Sequence, residues 1–450
     1  MKDQNSRRKF IQHSTLAAAG LTITNNLIAK PLSAFTADLS SGETINFGLI
    51  GCNGMGFTDL RAHLKLPNVN CVALADVDQR VLDKRSAEVK ELTGKTPETY
   101  TDYRKLLDNK DVDAVIIGTP DHWHCLILID ACKAGKHVYV EKPLGNSVEE
   151  CNLMAAAAKK YDSIVQVGQW QRSGGHYGDA IRFVQSGKLG KIRLVKCWAY
   201  QGWMKPLSPK PDITAPEGVD YTMWLGPAPE RPFNENRFHF NFRWFWDYAG
   251  GLMTDWGVHE IDIALFAMKA TAPKSILASG GKFAYPNDPS ETPDTLQTVF
   301  EYNDFNLLWE HATGIDGGNY GRTEGIAFIG NKGTLVLNRG GWEVIPETEE
   351  LDGKRIDKVE RVPLQKATGD ALGNHAQSFV DAIRSNDKSK LNCPIDAGRI
   401  AAVNAHMGNI AFKTGRKIYW DEAKGEFKND KEANKLLRAS YYNGWKLPVV

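Results

Sequence analysis

The feature that most constrains the fold is a short apolar strand that runs into a glycine-rich turn and then into a helix. Residues 45–50 read Ile-Asn-Phe-Gly-Leu-Ile, and a helix is predicted over 57–66. Glycines between the two let the backbone turn tightly and approach a pyrophosphate, whose charge is met by amides at the helix N-terminus. The pattern therefore predicts a dinucleotide-binding turn, formed by Gly51, Asn53, Gly54, Met55 and Gly56.

A second apolar strand, over 70–75, ends at an acidic residue. Asp76 stands about where a carboxylate would hold the ribose 2′-hydroxyl of a dinucleotide. Such a carboxylate repels a 2′-phosphate, so NAD is favoured over NADP, while the nearby Arg80 keeps NADP open. Asp76 could also cap the helix predicted over 81–92, and the two roles are compatible.

A third strand, over 113–118, opens into a loop that should lie over the cofactor, because ligands of parallel sheets bind beyond the carboxyl ends of the strands. Asp121 is expected to cap the following helix, predicted over 125–134. A zinc site is not indicated, since no second ligand cluster of matching spacing accompanies the two histidines. The loop residues predicted to contact the cofactor or substrate are Thr119, Pro120, His122 and His124.

The next strand ends in Glu141-Lys142-Pro143. An ammonium at the mouth of an apolar strand, beside a bound dinucleotide, is placed to bind a hydroxyl oxygen as it becomes a carbonyl. A lysine that merely ends a strand is the alternative. The position of Lys142 in the cofactor-binding sheet favours the catalytic role.

More than a hundred residues later, Asp255 and His259 lie four positions apart on a predicted helix and therefore share a face. A carboxylate there is expected to orient the imidazole, stabilise its charged form and raise its pKa, as suits a histidine that exchanges a proton with a hydroxyl. The alternative is a helix cap beside a packed ring. The presence of Lys142 favours an acid-base pair.

The second half of the chain changes in composition. Between 198 and 256 it holds six tryptophans whose indole rings could stack on sugars or, equally, form an aromatic core: Trp198, Trp203, Trp224, Trp244, Trp246 and Trp256. Alternating segments between 274 and 344 predict antiparallel strands, and helices are predicted over 374–384 and 396–414. Four residues flank the motifs and are candidates for binding substrate hydroxyls: Gln169, Arg172, Arg243 and Tyr248.

Charge, cysteines and the N-terminus narrow the class of protein. Fifty-five basic and 54 acidic residues give a net charge of +1, which does not indicate a nucleic-acid partner. Seven scattered cysteines without a C-x-x-C pair are interpreted as buried thiols. Residues 1–37, with Arg7-Arg8 before a moderately apolar run, resemble a twin-arginine export signal, which implies a periplasmic protein without a stable membrane anchor; the alternative is a basic tail on a cytoplasmic protein.

The glycine turn, Thr119-Pro120, Glu141-Lys142-Pro143 and Asp255-x-x-x-His259 resemble, in this order, the Gfo/Idh/MocA oxidoreductase family over about residues 45–415. The resemblance implies an α/β protein with an N-terminal Rossmann domain and a C-terminal α/β domain with a large, mostly antiparallel sheet. We predict a Rossmann domain over 44–168, a substrate domain over 169–373 and packing helices over 374–450. The resemblance also implies that Lys142, Asp255 and His259 are catalytic, and that Glu141 and Thr119 line the nicotinamide.

These features predict an NAD-dependent oxidoreductase that acts on a sugar or glycoside hydroxyl and holds its cofactor tightly. One branch of the superfamily suggests an alternative, a redox-neutral NAD-dependent glycosidase such as an α-N-acetylgalactosaminidase. A non-catalytic sugar-binding protein is the third possibility. Self-association through the C-terminal sheet is expected, because one face of such a sheet often mediates it.

Overall fold

The computed structural model describes residues 42–450, so the predicted export signal lies outside the described residues. Strands and helices alternate in its first part. The strands are β1 (Ile45–Ile50), β2 (Val69–Ala75), β3 (Glu98–Tyr100), β4 (Ala114–Ile117), β5 (His137–Val140) and β6 (Val165–Val167). The helices are α1 (Gly54–Leu64), α2 (Gln79–Thr93), α3 (Tyr103–Asp108), α4 (Asp121–Lys133) and α5 (Val148–Lys160).

The six strands form one parallel sheet in the order β3-β2-β1-β4-β5-β6. This is the strand order of a doubly wound dinucleotide-binding sheet, in which the crevice lies where the order reverses, between β1 and β4. The glycine turn follows β1 and the Thr119-Pro120 loop follows β4. Both predicted cofactor-binding segments therefore meet at the carboxyl edge of the sheet.

A larger sheet follows in the second part of the chain. Its strands are β7 (Ile192–Gln201), β8 (Ser275–Gly281), β9 (Thr295–Glu301), β10 (Asn306–Thr313), β11 (Glu324–Gly330), β12 (Gly333–Asn338), β13 (Gly341–Pro346), β16 (Val362–Lys366), β17 (Ile418–Asp421) and β18 (Glu426–Phe427), with a separate hairpin of β14 (Thr348–Leu351) and β15 (Lys354–Asp357). The order is β16-β13-β12-β11-β7-β10-β9-β8-β17-β18, antiparallel except where β7 pairs with β10. The predicted fold class is confirmed.

Seven helices accompany this sheet in the described chain: α6 (Gly175–Gln185), α7 (Tyr221–Leu225), α8 (Gly251–Asp255), α9 (Gly257–Met268), α10 (Ala371–Ser385), α11 (Ile395–Thr414) and α12 (Lys431–Lys435). The helices predicted over 374–384 and 396–414 are confirmed as α10 and α11. Helix α10 packs back on α1, while α11 contacts α5 of the first part and α9 of the second. Within residues 42–450, no helix is both long and apolar enough to cross a lipid bilayer.

Two hydrophobic cores lie on opposite faces of the first sheet. One is continuous with the second part of the chain, running from Ile117 and Met154 to Val258 and Leu307. The other lies under α1 and α10 and includes Phe379 of α10. All seven cysteines are free and buried, as the sequence predicted.

Several helix boundaries differ from the sequence prediction: α1 begins at Gly54 instead of 57, and two further differences bear on the site. Helix α4 begins at Asp121 instead of 125, and Asp121 makes no capping hydrogen bond because Pro120 occupies the N-cap position. The predicted cap is therefore wrong. The helix expected to carry both Asp255 and His259 is interrupted at Trp256, so that Asp255 ends α8 and His259 lies in the first turn of α9.

Candidate active site

The glycine turn between β1 and α1 is closely packed on one side and open on the other. A Cβ on Gly51, whose φ is +84°, would lie 2.6 Å from the Thr119 amide nitrogen, and a Cβ on Gly56 would lie 2.4 Å from the Gly51 carbonyl oxygen. Gly54, with φ of +51°, has nothing within 4 Å of its Cβ position. The backbone is thus exposed at the N-terminus of α1, the geometry that receives a pyrophosphate.

Asp76, at the end of β2, lies on the wall of the same cavity. Its carboxylate accepts hydrogen bonds from the amides of Cys52 (2.7 Å) and Asp78 (3.0 Å), and burial raises its pKa to about 6. The predicted capping role of Asp76 is wrong, because Asp78 caps α2 by accepting from the Arg80 amide. The Asp78 carboxylate also accepts from the Arg80 guanidinium at 2.9 and 2.7 Å, which holds that cation.

Two cations converge on the carboxylate of Asp255. Lys142 Nζ donates to Asp255 Oδ1 at 2.8 Å and to the Asp255 carbonyl at 2.9 Å. Arg243 Nε donates to the same Oδ1 at 3.0 Å. Burial alone would raise the pKa of Asp255, but the charges of Lys142 and Arg243 hold it well below its usual value. Asp255 is therefore ionised and fixes the position of the Lys142 ammonium.

His259 lies on the same cavity wall as Lys142 and Asp255. Its ring is buried, and Nδ1 has no hydrogen-bond partner among the described residues. Burial, together with the charges of Lys142 and Arg339, lowers its pKa well below the usual value. Asp255 does act to raise this pKa, as expected, but burial and the charges of Lys142 and Arg339 outweigh it, so the pKa of His259 is lowered overall. His259 is a neutral imidazole at neutral pH.

Five further predicted cofactor-binding residues line the cavity: Asn53, Met55, Thr119, Pro120 and Glu141. Glu141 is buried, and burial raises its pKa to about 7 against the lowering charges of Lys142 and Arg243. A Cβ on Gly168 would lie 2.0 Å from Glu141 Oε1, so this carboxyl needs a glycine opposite it. The side chain is thereby kept next to Lys142.

The two histidines in the first turn of α4, His122 and His124, are not on the cavity wall. His122 Nε2 lies 3.1 Å from the Trp224 carbonyl oxygen. His124 lies between two carbonyl oxygens, with Nδ1 2.8 Å from that of Pro143 and Nε2 3.0 Å from that of Thr119, and its neutral ring donates to one of them. Burial lowers the pKa of both to about 4. Both rings are engaged in holding neighbouring loops together, and His124 fixes the segments that carry Thr119 and Lys142. In the described chain, no group of three or more potential metal ligands is present.

Of the four candidate substrate-binding residues, the structure places only Arg243 on the cavity wall. Arg172 donates two hydrogen bonds of 2.7 Å to the Asp262 carboxylate. This ion pair neutralises the charge of Arg172 away from the cavity wall. Tyr248 is fully buried against the rings of Trp224 and His122, and Gln169 is fully buried near the Cys393 thiol. These three side chains have roles in packing.

The tryptophan-rich segment divides between core and cavity. Trp198 and Trp244 are buried, whereas Trp203, Trp224 and Trp256 reach the cavity wall. Trp203 and Phe240 are 58% and 52% exposed, and their ring centres are 6.0 Å apart. The aromatic-core interpretation is confirmed for the buried tryptophans, while stacking of the cavity-wall tryptophans on a sugar stays a prediction.

Several wall residues were not selected as site residues from the sequence, among them Asp121, Trp170, His239, Phe240 and Arg339. Asp121 and Trp170 directly follow Pro120 and Gln169, two predicted site residues, so their place in the sequence could have indicated them. Burial raises the pKa of Asp121 to about 7 despite the charges of Arg243 and Lys142. Arg339 lies in the β12–β13 turn, far from any motif, and only the folding of the second sheet brings it to the cavity.

The wall residues named above face one cavity of about 680 Å³, which lies between the carboxyl edge of the first sheet and the second part of the chain. It has the glycine turn and Asp76 on one side and Lys142, Asp255 and His259 on another. A dinucleotide cradle and an acid-base cluster sharing one cavity define a two-domain α/β protein of the oxidoreductase class.

Comparison with known families agrees with this class. Residues 45–169 match the NAD-binding Rossmann-fold model of the Gfo/Idh/MocA oxidoreductase family, and residues 184–282 and 361–447 match its C-terminal α/β domain. Together the two models cover more than half of the chain. The chain belongs to the Gfo/Idh/MocA oxidoreductase family, as the order of its motifs predicted.

Curated relatives match over a shorter stretch. An α-N-acetylgalactosaminidase of Shewanella oneidensis is 33% identical over 160 residues, 32% of this chain and 35% of that protein. A glycosyl hydrolase family 109 protein of Shewanella sp. (strain ANA-3) is 31% identical over 169 residues, 34% of this chain and 37% of that protein. The chain thus spans about a third of the length of these relatives.

Solved structures share the fold over most of the chain. Levoglucosan dehydrogenase in complex with NADH and levoglucosan superimposes with a TM-score of 0.61 at 20% identity, covering 84% of this chain and 99% of the other. The WlbA dehydrogenase from Bordetella pertussis, in complex with NADH and UDP-GlcNAcA, gives a TM-score of 0.61 at 17% identity with the same coverage. At these identities the likeness concerns the fold.

Proposed function

We propose that the protein is an NAD-dependent oxidoreductase that removes a hydride from a hydroxyl-bearing carbon of a sugar or glycoside. The observation that carries this proposal is the meeting of Lys142, Asp255 and His259 on the wall of the cavity onto which the glycine turn opens. The two halves of this cluster are separated by more than a hundred residues in the sequence. A structural ion pair alone would not require the neutral imidazole beside it.

Each residue of the cluster has a distinct role. The neutral His259 accepts the hydroxyl proton, which a buried imidazole of lowered pKa can do over a wide pH range. The Lys142 ammonium uses two of its three hydrogens on Asp255, and the third remains to stabilise the oxygen as negative charge develops. When bound, the cofactor supplies the carbon that accepts the hydride. Arg243 and Asp255 are positioning residues for Lys142.

NAD is the favoured cofactor over NADP. Asp76 presents its carboxylate where a ribose 2′-hydroxyl would lie, and a 2′-phosphate would meet this charge. Arg80, the residue that could have accommodated that phosphate, is held by Asp78. Both observations support NAD.

The substrate class rests on the aromatic wall. Trp203 and Phe240 present exposed rings at the cavity, and flat aromatic rings are suited to the C–H faces of sugars. Such aromatic rings could stack on the reacting sugar or, in a glycoside, on a further group attached to it.

A second candidate is a redox-neutral glycosidase, which the α-N-acetylgalactosaminidase and family 109 relatives favour. In that reaction a ring hydroxyl is oxidised to a ketone as its hydride passes to the held cofactor, the aglycone leaves with loss of the proton beside the ketone, and water adds to the resulting enone. The same hydride then reduces the ketone again. The oxidation step uses Lys142 and His259 in the roles given above.

We also propose a periplasmic location for the protein. Export by the twin-arginine-type signal over 1–37 would deliver a folded protein with its cofactor to the periplasm, where a tightly held NAD suits a closed redox cycle. Self-association through the exposed face of the large sheet is proposed as well. Leu194, Leu277 and Val299 are exposed on its strands, in keeping with a covered face.

Replacement of Lys142 tests the catalytic proposal. Lys142→Ala should lower turnover at least about a hundredfold, because positioned acid-base groups contribute about 10² to 10⁴ in rate. The nucleotide content, measured by mass spectrometry of the denatured protein, should not change. Lys84→Ala, at an exposed position of α2, is the matched control and should retain full turnover. Near-normal turnover of Lys142→Ala with nucleotide bound would contradict the mechanism.

The reaction products separate the candidate functions. A dehydrogenase forms NADH in proportion to the sugar oxidised, whereas the glycosidase cleaves aryl glycosides without net NADH and incorporates solvent deuterium beside the oxidised carbon. A non-catalytic sugar-binding protein would release no nucleotide on denaturation.

A further inference from the structure

Arg339 holds a fixed cation beside the proposed base. It lies in the turn between β12 and β13 and reaches the cavity wall. Its guanidinium carbon is 4.6 Å from the ring centre of Trp170 and 4.4 Å from that of Trp256. The same two rings lie 6.4 and 6.3 Å from the ring of His259. The guanidinium is therefore held between two indoles in the part of the cavity where the reacting hydroxyl must bind.

The guanidinium is positioned by groups behind it. Arg339 Nε and Nη2 donate to Gln171 Oε1 at 3.2 and 3.1 Å, and the Arg339 amide donates to Glu324 Oε1 at 3.2 Å. Gln171 is fully buried and itself donates to Glu260 at 3.5 Å. Nη1 makes no hydrogen bond among the described residues, so the outer edge of the guanidinium is available to a ligand.

Among residues 42–450, the Arg339 guanidinium forms no ion pair within 4.0 Å, and its hydrogen bonds go to the neutral side-chain amide of Gln171. Glu260 and Glu324 lie in the network behind it, and burial raises the pKa of both carboxyls. Glu260, whose pKa lies well above its usual value, holds a proton, and Glu324 contacts the backbone amide of Arg339 and not its guanidinium.

The rest of this part of the wall is also short of negative charge. Lys142 and Arg243 share the single ionised carboxylate of Asp255. Glu141 and Asp121 complete the wall, and burial raises the pKa of each to about 7. A neutral sugar that excluded water here would leave the outer edge of the guanidinium without a charged partner at contact distance, which is costly.

We propose that the substrate is an anionic sugar, bearing a carboxylate or a sulfate ester, whose oxyanion binds the outer edge of the Arg339 guanidinium. The planar guanidinium can meet two oxygens of either group at once. This inference deepens the proposed function and rests on it for the reacting hydroxyl beside His259. The pyrophosphate of the cofactor is not the anion concerned, because its site is the N-terminus of α1.

Binding of matched sugars tests this directly. The purified full chain with its nucleotide is titrated with methyl glucoside and galactoside, with the corresponding methyl uronides, and with the 6-sulfates of the same glycosides. Tryptophan fluorescence reports binding, since Trp170 and Trp256 flank the guanidinium. In at least one configuration, the uronide or the sulfate should bind about tenfold or more tightly than its neutral parent. Which of the two binds identifies the oxyanion. Equal or weaker binding of every anionic sugar overturns the inference.

Variants assign the preference to Arg339. Arg339→Gln should abolish it, lowering affinity for the anionic sugar about tenfold or more without lowering affinity for the neutral parent. Arg339→Lys keeps the positive charge but loses the planar group that can donate to two oxygens at once, so it should retain part of the preference. Arg193→Gln removes one exposed charge outside the cavity wall and should change nothing. Retention of the full preference by folded Arg339→Gln overturns the inference.

The two proposals fail in different ways. If anionic sugars bind through Arg339 but no sugar is ever oxidised, the proposed function fails and the anion site stands. If neutral and anionic sugars are oxidised with equal kcat/KM by both the wild type and Arg339→Gln, the function stands and the anion site fails.

Discussion

At the scale of residues, burial and a few fixed charges decide which groups carry a proton. Asp255 is ionised because two cations contact one of its oxygens, and His259 is neutral because burial and nearby cations oppose its charge. Asp121, in the same cavity, has a pKa between these extremes, about 7, because the effect of burial outweighs that of the cations that face it. A neutral imidazole and a fixed ammonium thus coexist at neutral pH.

The raised pKa of Asp121 predicts a pH-dependent stability. Because its folded pKa, about 7, exceeds the unfolded value of about 4, the carboxyl stabilises the fold fully below about pH 4 and loses this contribution as pH rises through 7. Asp121→Asn does not titrate. Relative to wild type, its free energy of unfolding should therefore rise by roughly 2 to 3 kcal/mol between pH 5 and pH 8.

The measurement is the thermal midpoint of each protein at the two pH values, where this change corresponds to a few degrees. Asp108→Asn, at an exposed position at the end of α3, is the control and should follow wild type at both pH values. A constant difference between Asp121→Asn and wild type across this range would show that Asp121 titrates normally.

At the scale of elements, the site depends on how closely two loop ends approach each other. The turn after β1 and the segment after β4 touch through backbone atoms: a Cβ on Gly118 would lie 2.4 Å from Gly56 Cα. Neither side has a flexible side chain that could move aside. The carboxyl edges of β1 and β4 are thereby joined at the place where the cofactor binds.

Gly56→Ala should disturb this contact. Its Cβ would lie 2.4 Å from the Gly51 carbonyl oxygen and 3.1 Å from Gly118 Cα, so the backbone must shift. We expect a loss of about 1 to 3 kcal/mol in stability and a lower content of bound nucleotide. Gly175→Ala, in the first turn of α6 with nothing within 4 Å, should be neutral or slightly stabilising. The comparison uses melting temperature and the nucleotide released on denaturation.

If Gly56→Ala kept both the melting temperature and the nucleotide content of wild type, the close approach of the two turns would not be needed for cofactor binding.

At the scale of the whole molecule, late segments of the chain fix the distance between the two halves of the site. In α11, His406 bonds the carbonyl of Gly145, just after Lys142, at 2.8 Å. One turn further along, Asn409 donates to the carbonyl of Gly250, just before the helix that ends at Asp255, at 2.9 Å. One helix thus connects the segment that carries the ammonium with the segment that carries its carboxylate.

The last residues of the chain extend this connection. The Tyr441 hydroxyl donates to the buried Glu150 at 2.7 Å, and Asn443 donates to the carbonyls of Gly226 and Ala228. Tyr441→Phe leaves a Glu150 oxygen without its donor and should lower stability by about 1 to 3 kcal/mol. Tyr442→Phe changes an exposed neighbour and is the matched control. Equal melting temperatures of the two variants would contradict a role for the tail in joining the parts.

The fold was largely predictable because its signals are local. An apolar run such as residues 45–50 indicates a buried strand, and the glycines that follow it indicate a turn, because glycine adopts backbone conformations that other residues rarely adopt. The break at Trp256 and the start of α4 at Asp121 were missed, because both depend on the packing around the cavity.

The sequence by itself determined the α/β class, the glycine turn, and the residue types of the acid-base cluster, because each depends on short-range pattern. Only the tertiary structure decided which partner Asp255 takes, that His259 is neutral, and that Arg339 stands beside it. The reason is physical: a pKa and an ion pair depend on burial and on charges brought close from distant parts of the chain. Those distances are fixed only once the two sheets and α11 have packed together.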